Sequence, residues 1–396
     1  MGAIFLFSGL ILPTILYSLF LQWLSWHFRR IPSSPAALSA LPDIPVSILI
    51  AARNEEDSVH AVIEAILSQD YPRDFFEVII VDDHSEDQTF QLASAYADCR
   101  LSVYKLESGY GKKAALELAV ARAKGDLLLF TDADCIPGPS WVRSMVAAYS
   151  HMDCRLLAGP VVYASEDNVL SRFQALDAAG MMALTAVGLD TSRFFLANGA
   201  NLACEKSLFD QIGGYASHAD TPSGDDVLLV NEVANRNRSW VGAVTQPSAS
   251  IRTFPEPSWT SMIQQRLRWA SKSAHYQFGP LGLVQSLVFV TSLSIPFSLL
   301  LAPFFGWHTA AAGATSFLLK TLSDYHWLRL AVSPSKRHHL LHGFIFSECL
   351  HIASTISVGV LTLAGQPWVW KGRPRGYRVE LTLGFFWISC RYDEIG

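Results

Sequence analysis

From Ala3 to Trp26 the chain is almost unbroken apolar sequence, long enough for a helix that spans a bilayer. It closes on His27-Phe28-Arg29-Arg30, and Ile31–Pro45, with four prolines, reads as a linker. Beyond Pro45 the pattern changes. Short apolar runs at Val46–Ile50, Phe76–Val81, Leu101–Leu106 and Asp126–Phe130 predict strands. Between them, apolar positions at helical spacing predict helices over Asp57–Ser68, Gln88–Ala97 and Lys112–Ala123. This βαβα order implies an α/β fold, a largely parallel sheet covered by helices. From Trp141 to about Tyr276 the pattern is less regular, with candidate strands near Leu156–Val162 and Ser239–Val244. After Gly279 membrane-like sequence returns. Leu281–Phe305 reads as a span in which Pro296 and Pro303 suggest a kink or break. His308–Leu330 is interrupted by Lys320, Asp324 and Arg329, and Leu340–Leu363 contains Glu348. Lys320 and Asp324 stand four residues apart, a spacing at which they neutralise each other between helices.

Composition sharpens this picture. Half the residues are hydrophobic and only 16% are charged, and the mean hydropathy is +0.24. That is too apolar for an ordinary soluble enzyme. A signal peptide would have a positive front and a shorter core, so despite the cleavage-like Ala37–Ala40 the first segment reads as an uncleaved anchor. The Arg29-Arg30 pair then places the following domain in the cytoplasm, as expected at a bacterial inner membrane. The aromatic and basic tail Trp368–Arg375 favours the same side, yet four full spans would carry it across. One C-terminal segment is therefore expected to be re-entrant or interfacial. The expected division is an anchor at 1–30, a linker at 31–45, a catalytic domain at 46–278, membrane segments at 279–366 and a tail at 367–396. A net charge of −5 excludes nucleic acid as the main partner. The six cysteines show no CxxC pair, which argues against a zinc site or a disulfide framework.

Acidic loops follow successive strands, where open α/β sheets bind ligands. In Thr131-Asp132-Ala133-Asp134, carboxylates two residues apart on a strand share a face, and hard oxygen donors suit Mg²⁺ or Mn²⁺. An isolated DxD is also an ordinary acidic turn. Asp82 and Asp83 are placed to accept from a base and ribose, or else to sit at a helix N-terminus. Gly109-Tyr110-Gly111-Lys112-Lys113 offers backbone N–H groups and a lysine to an anion, but it lacks P-loop spacing. Asp225 and Asp226 supply a candidate general base or a helix cap. Gln265, Arg268 and Trp269 fall within one helical turn and can share a face; Arg266 and Lys272 read as interfacial anchors.

Taken in order, ARNEE (Ala52–Glu56), VDDHSED (Val81–Asp87), GKKAAL (Gly111–Leu116), TDAD (Thr131–Asp134), NGANLACEKSLFDQIGGY (Asn198–Tyr215), GDD (Gly224–Asp226) and QQRLRW (Gln264–Trp269) resemble a family 2 glycosyltransferase of the GT-A fold over Pro45–Tyr276. The resemblance implies inverting transfer from a nucleotide-diphosphate sugar, usually UDP-linked, with a divalent cation. It implies Asn54, Glu55, Asp82, Asp83 and Lys112 at the donor, and Asp132 and Asp134 at ribose, diphosphate and metal. Asp226 matches the base, with Asp225 beside it. Gln265, Arg268 and Trp269 match QxxRW near the diphosphate and acceptor, and Gly199 and Asn201 fall on the acceptor side. The expected acceptor is a membrane lipid hydroxyl. A processive polysaccharide synthase is the alternative, although few spans remain for a polymer channel. A catalytically silent nucleotide-sugar-binding partner is the second alternative, against which no motif carboxylate is missing.

Overall fold

Apolar runs without alternation become strands buried on both faces. Val46–Ala52 (β1), Phe76–Asp82 (β2), Leu101–Lys105 (β3) and Leu127–Asp132 (β4) form the parallel part of a sheet in the order β3-β2-β1-β4. The structure is a computed structural model that describes residues 2–32, 43–215, 225–272, 279–370, 373–375, 378–382 and 387–391. The expected linker lies outside the described residues from 33 to 42.

Two units divide the chain. The first comprises Ile31–Ser165 and Met181–Pro255, the second Met1–Arg30, Glu166–Gly180 and Glu256–Gly396. The boundary expected at 278 does not coincide with this division, because 166–180 and 256–272 fold with the apolar helices.

In the first unit the sheet continues past β4 through Leu202–Glu205 (β8), Leu156–Ala158 (β6) and Val241–Ala243 (β9), with β8 antiparallel to both β4 and β6. Ile136–Pro137 (β5), Val161–Tyr163 (β7) and Ile251–Thr253 (β10) make a second, smaller sheet. The single strand expected over Leu156–Val162 is thus two, in different sheets, divided at Gly159-Pro160, where proline removes a ladder donor. On one face Ile48 and Ile50 pack against Val62, Ile63 and Ile66 of α2 (Val59–Leu67) and Trp141 and Met145 of α5 (Trp141–His151). On the other, Leu49 shares a core with Leu116 and Ala119 of α4 (Lys112–Arg122), Phe209 of α7 (Lys206–Ile212) and Val230 and Val233 of α8 (Asp225–Arg236). Each such burial contributes about 1.5–3 kcal/mol. The short α3 (Thr89–Ser94) follows β2.

The second unit is helical. It holds α1 (Gly2–Phe28), α9 (Trp259–Lys272), α10 (Pro280–Phe305), α11 (Trp307–Ala331), α12 (Phe344–Leu363) and the first turns of α6 (Val169–Asp190). The break anticipated in α10 does not occur. The helix runs through both prolines, and the Ser294 and Ser298 hydroxyls donate to the carbonyls of Thr291 and Ser294 beside Pro296. Lys320 and Asp324 do pair, at 2.6 Å, and Glu348 joins them at 2.6 Å from the same ammonium. Arg266 is not an exposed anchor. Its guanidinium pairs with Asp177 at 2.8 Å and lies over Phe173, because α9 turns this face onto α6. The side chain of Lys272 lies outside the described residues. The tail forms the strand pairs Trp368–Trp370 (β11) with Arg373–Arg375 (β12), and Arg378–Thr382 (β13) with Trp387–Arg391 (β14).

Candidate active site

The loops after β1 and β2 are laced together by side chains that accept from one another's backbone. Asn54 N–H donates to Ser85 Oγ, Glu55 N–H to Thr89 Oγ1 and Glu56 N–H to Asp87, while Glu86 N–H donates back to Asn54 Oδ1. Burial pulls the Asp87 carboxyl up, but hydrogen bonds from Thr89 and the Glu56 amide outweigh it and hold it below the usual range. Asn54 and His84 both take left-handed backbone, at φ of 50° and 57°. Such strain persists only where surrounding contacts over-determine it. Asn54 and Glu55 are therefore fixed at the β1 edge, with their backbone groups and the Asn54 amide serving the loop.

Asp82 and Asp83 stand at the end of β2, 4% and 2% exposed. Asp83 accepts from Gly111 N–H at 3.1 Å and from the His84 ring at 3.1 Å, while Arg53 donates to its carbonyl. One Asp82 oxygen accepts from Ser85 N–H; the other, Oδ1, is buried and receives no hydrogen bond from the described residues. A buried acceptor left without a donor costs about 1–3 kcal/mol. A ligand N–H or O–H at this edge removes that cost.

Gly109 and Gly111, at φ of 81° and 94°, turn the chain into α4. The turn presents Gly111 N–H to Asp83 and places the Lys112 ammonium 2.6 Å from Asp132. One helix start thus joins carboxylates from two strands.

Asp132 and Asp134 do come together, though not by strand alternation. β4 ends at Asp132, and a turn closed by Cys135 N–H on the Asp132 carbonyl folds Asp134 back. Donor atoms of Asp132, Asp134 and Cys135 lie within 4.8 Å of one another. The two carboxylates fit a hard divalent cation, and the ammonium on Asp132 shows that this oxygen is open to positive charge. Cys135 does not fit that role. It is buried and donates to Asp134 at 3.1 Å, and burial together with Asp134 and Asp132 pushes its thiol well up.

Asp226, in the first turn of α8, accepts from Gly199 N–H at 3.1 Å and from Val227 N–H at 2.7 Å. Gly199 therefore acts on the carboxylate expected to be the base. The side chain of Asp225 and the whole of Gly224 lie outside the described residues. Asn201 does not stand on an acceptor surface. It is wholly buried, with its amide donating to the carbonyls of Pro160 and Ala249 at 2.8 Å each and its oxygen accepting from Trp141 Nε1. Its place is a structural joint.

Gln265, Arg268 and Trp269 lie on α9 in the helical unit. Gln265 donates to Glu256 at 3.0 Å, Arg268 is half-buried and Trp269 is exposed. Sequence reasoning passed over Arg53 and the stacked pair His84–Tyr110, whose ring centroids are 4.6 Å apart beside Asp83. All three stand in the quoted stretches close to Asn54, Asp83 and Lys112, but no spacing rule marks them.

Residues 47–212 match the family profile described as Glycosyl transferase family 2. A probable glycosyltransferase, YdaM of Bacillus subtilis, is 26% identical over 290 residues, 67% of this chain and 64% of YdaM, so the chain spans just under two thirds of that relative. Beta-monoglucosyldiacylglycerol synthase of Synechocystis is 32% identical over 116 residues, 28% of this chain and 24% of that one. Among solved structures, the mannosyltransferase PcManGT of Pyrobaculum calidifontis, in complex with GDP-Man and Mn²⁺, aligns with a TM-score of 0.51 at 19% identity. The alignment covers 91% of this chain and 97% of PcManGT, and shows the GT-A fold. The strand-end carboxylates Asp82, Asp83, Asp132 and Asp134 thus lie inside the stretch, residues 47–212, that matches glycosyl transferase family 2.

Proposed function

We propose that the protein is a membrane-bound inverting glycosyltransferase that moves a hexose from a UDP-sugar to a hydroxyl of a membrane lipid. The observation that carries this reading is the α4 start, where Gly111 N–H reaches Asp83 and Lys112 reaches Asp132. Two acidic strand ends and a cationic helix N-terminus at one edge suit a ligand with both hydroxyl donors and a diphosphate.

Asp82 and Asp83 accept from base and ribose, and the buried Asp82 Oδ1 supports that role. Lys112 and the backbone at Gly111 offset diphosphate charge. Asp132 and Asp134 are the residues to hold a divalent cation, Mg²⁺ or Mn²⁺, which when bound neutralises charge on the leaving diphosphate. Asp226, oriented by Gly199 N–H, takes the acceptor's proton as the acceptor oxygen bonds to the anomeric carbon. The bond from that carbon to the diphosphate breaks, and UDP departs with its electron pair. A single displacement inverts the anomeric centre. Asn54 and Glu55 support the donor edge. By the resemblance to family 2 glycosyltransferases alone, Gln265, Arg268 and Trp269 of α9 serve the same reaction, the arginine for the diphosphate and the indole for the sugar or acceptor.

The apolar helices and the diacylglycerol named in the Synechocystis relative favour a lipid acceptor. The Arg29-Arg30 pair favours a cytoplasmic domain at an inner membrane. The test is transfer of labelled sugar by purified protein from a panel of nucleotide sugars, with Mg²⁺ or Mn²⁺ and total lipid. Label is expected in the organic phase, reduced about 10²–10⁴-fold in Asp226→Asn. Label in ethanol-insoluble polymer would establish a polysaccharide synthase instead. No transfer to either would leave a nucleotide-sugar-binding partner.

A further inference from the structure

By length and composition, Phe7–Phe28, Pro280–Phe305 and Phe344–Leu363 qualify as membrane-crossing helices, and α11 does not. Packing within the helical unit reverses the last two assignments. The charges that disqualify α11 are internal: Lys320 is fully buried and Asp324 is 5% exposed. Its exposed stripe is Leu318, Leu322 and Tyr325, at one-face spacing, with the Tyr325 ring also meeting Phe344 of α12. α11 packs along both α1 and α10. At one end of this bundle Phe28 meets Trp327 at 5.7 Å and Arg29 meets His326 at 3.1 Å.

α10 and α11 form an antiparallel hairpin turned at Gly306, in which Gly313 faces Ser298. In that register Phe289, nine residues before Ser298, is level with Leu322, nine after Gly313. Now α12 touches the hairpin at three points, the first being Phe344 against the Tyr325 ring at 5.5 Å. Glu348 reaches Lys320 at 2.6 Å, and Gly359 abuts the Phe289 ring. The three contacts span about 22 Å along α12 but only about 8 Å along the hairpin, from the level of Lys320 to that of Tyr325. The helix lies across the hairpin.

Both flanks of α12 agree. Before it, Arg337 and His339 pair with Glu166. After it, β11 lies against α9, which packs through Met262 on Leu170 and Phe173 of α6. α6 in turn abuts Leu328 at Gly180, near the end of α11. Both ends of α12 therefore return to the end of the bundle where α1 stops and α10 starts.

We infer that the chain crosses the bilayer three times, through α1, α10 and α11, and that α12 lies half-sunk in the leaflet at which α1 ends. Its partner is the acyl and head-group layer of that leaflet, met by Phe346, Ile345, Val360 and Leu363, which are 45–71% exposed. Glu348 is the peg that holds α12 crosswise on Lys320. The basic tail then stays on the side of the linker that follows α1, which removes the charge conflict in the sequence.

The test is thiol labelling of full-length protein in sealed vesicles of both orientations, with the six native cysteines replaced. Ser335→Cys and Gln366→Cys are expected to react with an impermeant maleimide from the same face as Glu107→Cys, and His308→Cys from the opposite face. Reaction of Gln366→Cys from the face of His308→Cys would mean that α12 crosses, and would overturn the inference. So would reaction of His308→Cys from the face of Ser335→Cys. Protease removal of a C-terminal tag from otherwise native protein gives the same readout without the substitutions: cleavage from the Glu107 face supports the inference, and cleavage only from the other face overturns it. Neither readout depends on sugar transfer.

Discussion

Lys112 is only partly buried, and its partner Asp132 is more exposed still, so the pair adds little to folding; exposed pairs are worth about 0–1 kcal/mol. Its place between the β4 carboxylate and the α4 start matters for binding instead. Lys112→Ala removes a charge-assisted contact to a diphosphate, worth about 1.5–3 kcal/mol, or roughly ten- to a hundred-fold in affinity. Titration calorimetry with the UDP-sugar is expected to show that loss, while the melting midpoint stays near wild type. Unchanged affinity would remove Lys112 from the donor site. A large fall in melting point with the affinity loss would instead make the residue structural. Asp82 has the opposite balance, since its burial with an unfilled acceptor oxygen stores a folding cost that a donor group relieves.

At the scale of elements, Asn201 ties three segments together. It joins Trp141 at the start of α5, Pro160 at the break between β6 and β7, and Ala249 before β10. Asn201→Ala leaves the Trp141 Nε1 donor and the Ala249 carbonyl without partners, while the Pro160 carbonyl keeps the Ile251 N–H, at about 2 kcal/mol or more in total. Chemical denaturation should show that loss, and a midpoint unchanged within error would mean that water replaces the amide. This joint was not legible in the sequence, because its partners are 41 to 60 residues away and form no periodic pattern. By contrast β1, β2 and β4 were legible, since strands buried on both faces read as apolar runs with acidic residues at their ends. β8 and β10, at four and three residues, are too short to show a period. Leu156–Val162 looked continuous because five of its seven residues are apolar and only Gly159-Pro160 marks the switch of sheet. The closeness of Asp132 and Asp134 was legible, but the turn that produces it was not.

For the whole molecule the informative charges are those inside the helix bundle. Tyr17 of α1 donates to Asp324 at 2.6 Å, Lys320 of α11 bonds both Asp324 and Glu348, and Glu348 comes from α12. One ammonium thus holds two carboxylates from different helices and lies 3.3 Å from the His351 ring nitrogen. Removing it leaves like charges facing each other in a low-dielectric site; breaking a buried pair from one side costs about 3–5 kcal/mol. Lys320→Met keeps the volume and deletes the charge, so its melting midpoint in detergent should fall well below wild type. Adding Asp324→Asn and Glu348→Gln removes the repulsion and should recover most of the loss, because neutral amides retain hydrogen bonds without an unpaired charge. Simple loss of packing predicts no such recovery. If Lys320→Met melts like wild type, the cluster does not hold the three helices, and α12 must be kept in place by its contacts with α9 and α10 and by Phe344 on Tyr325.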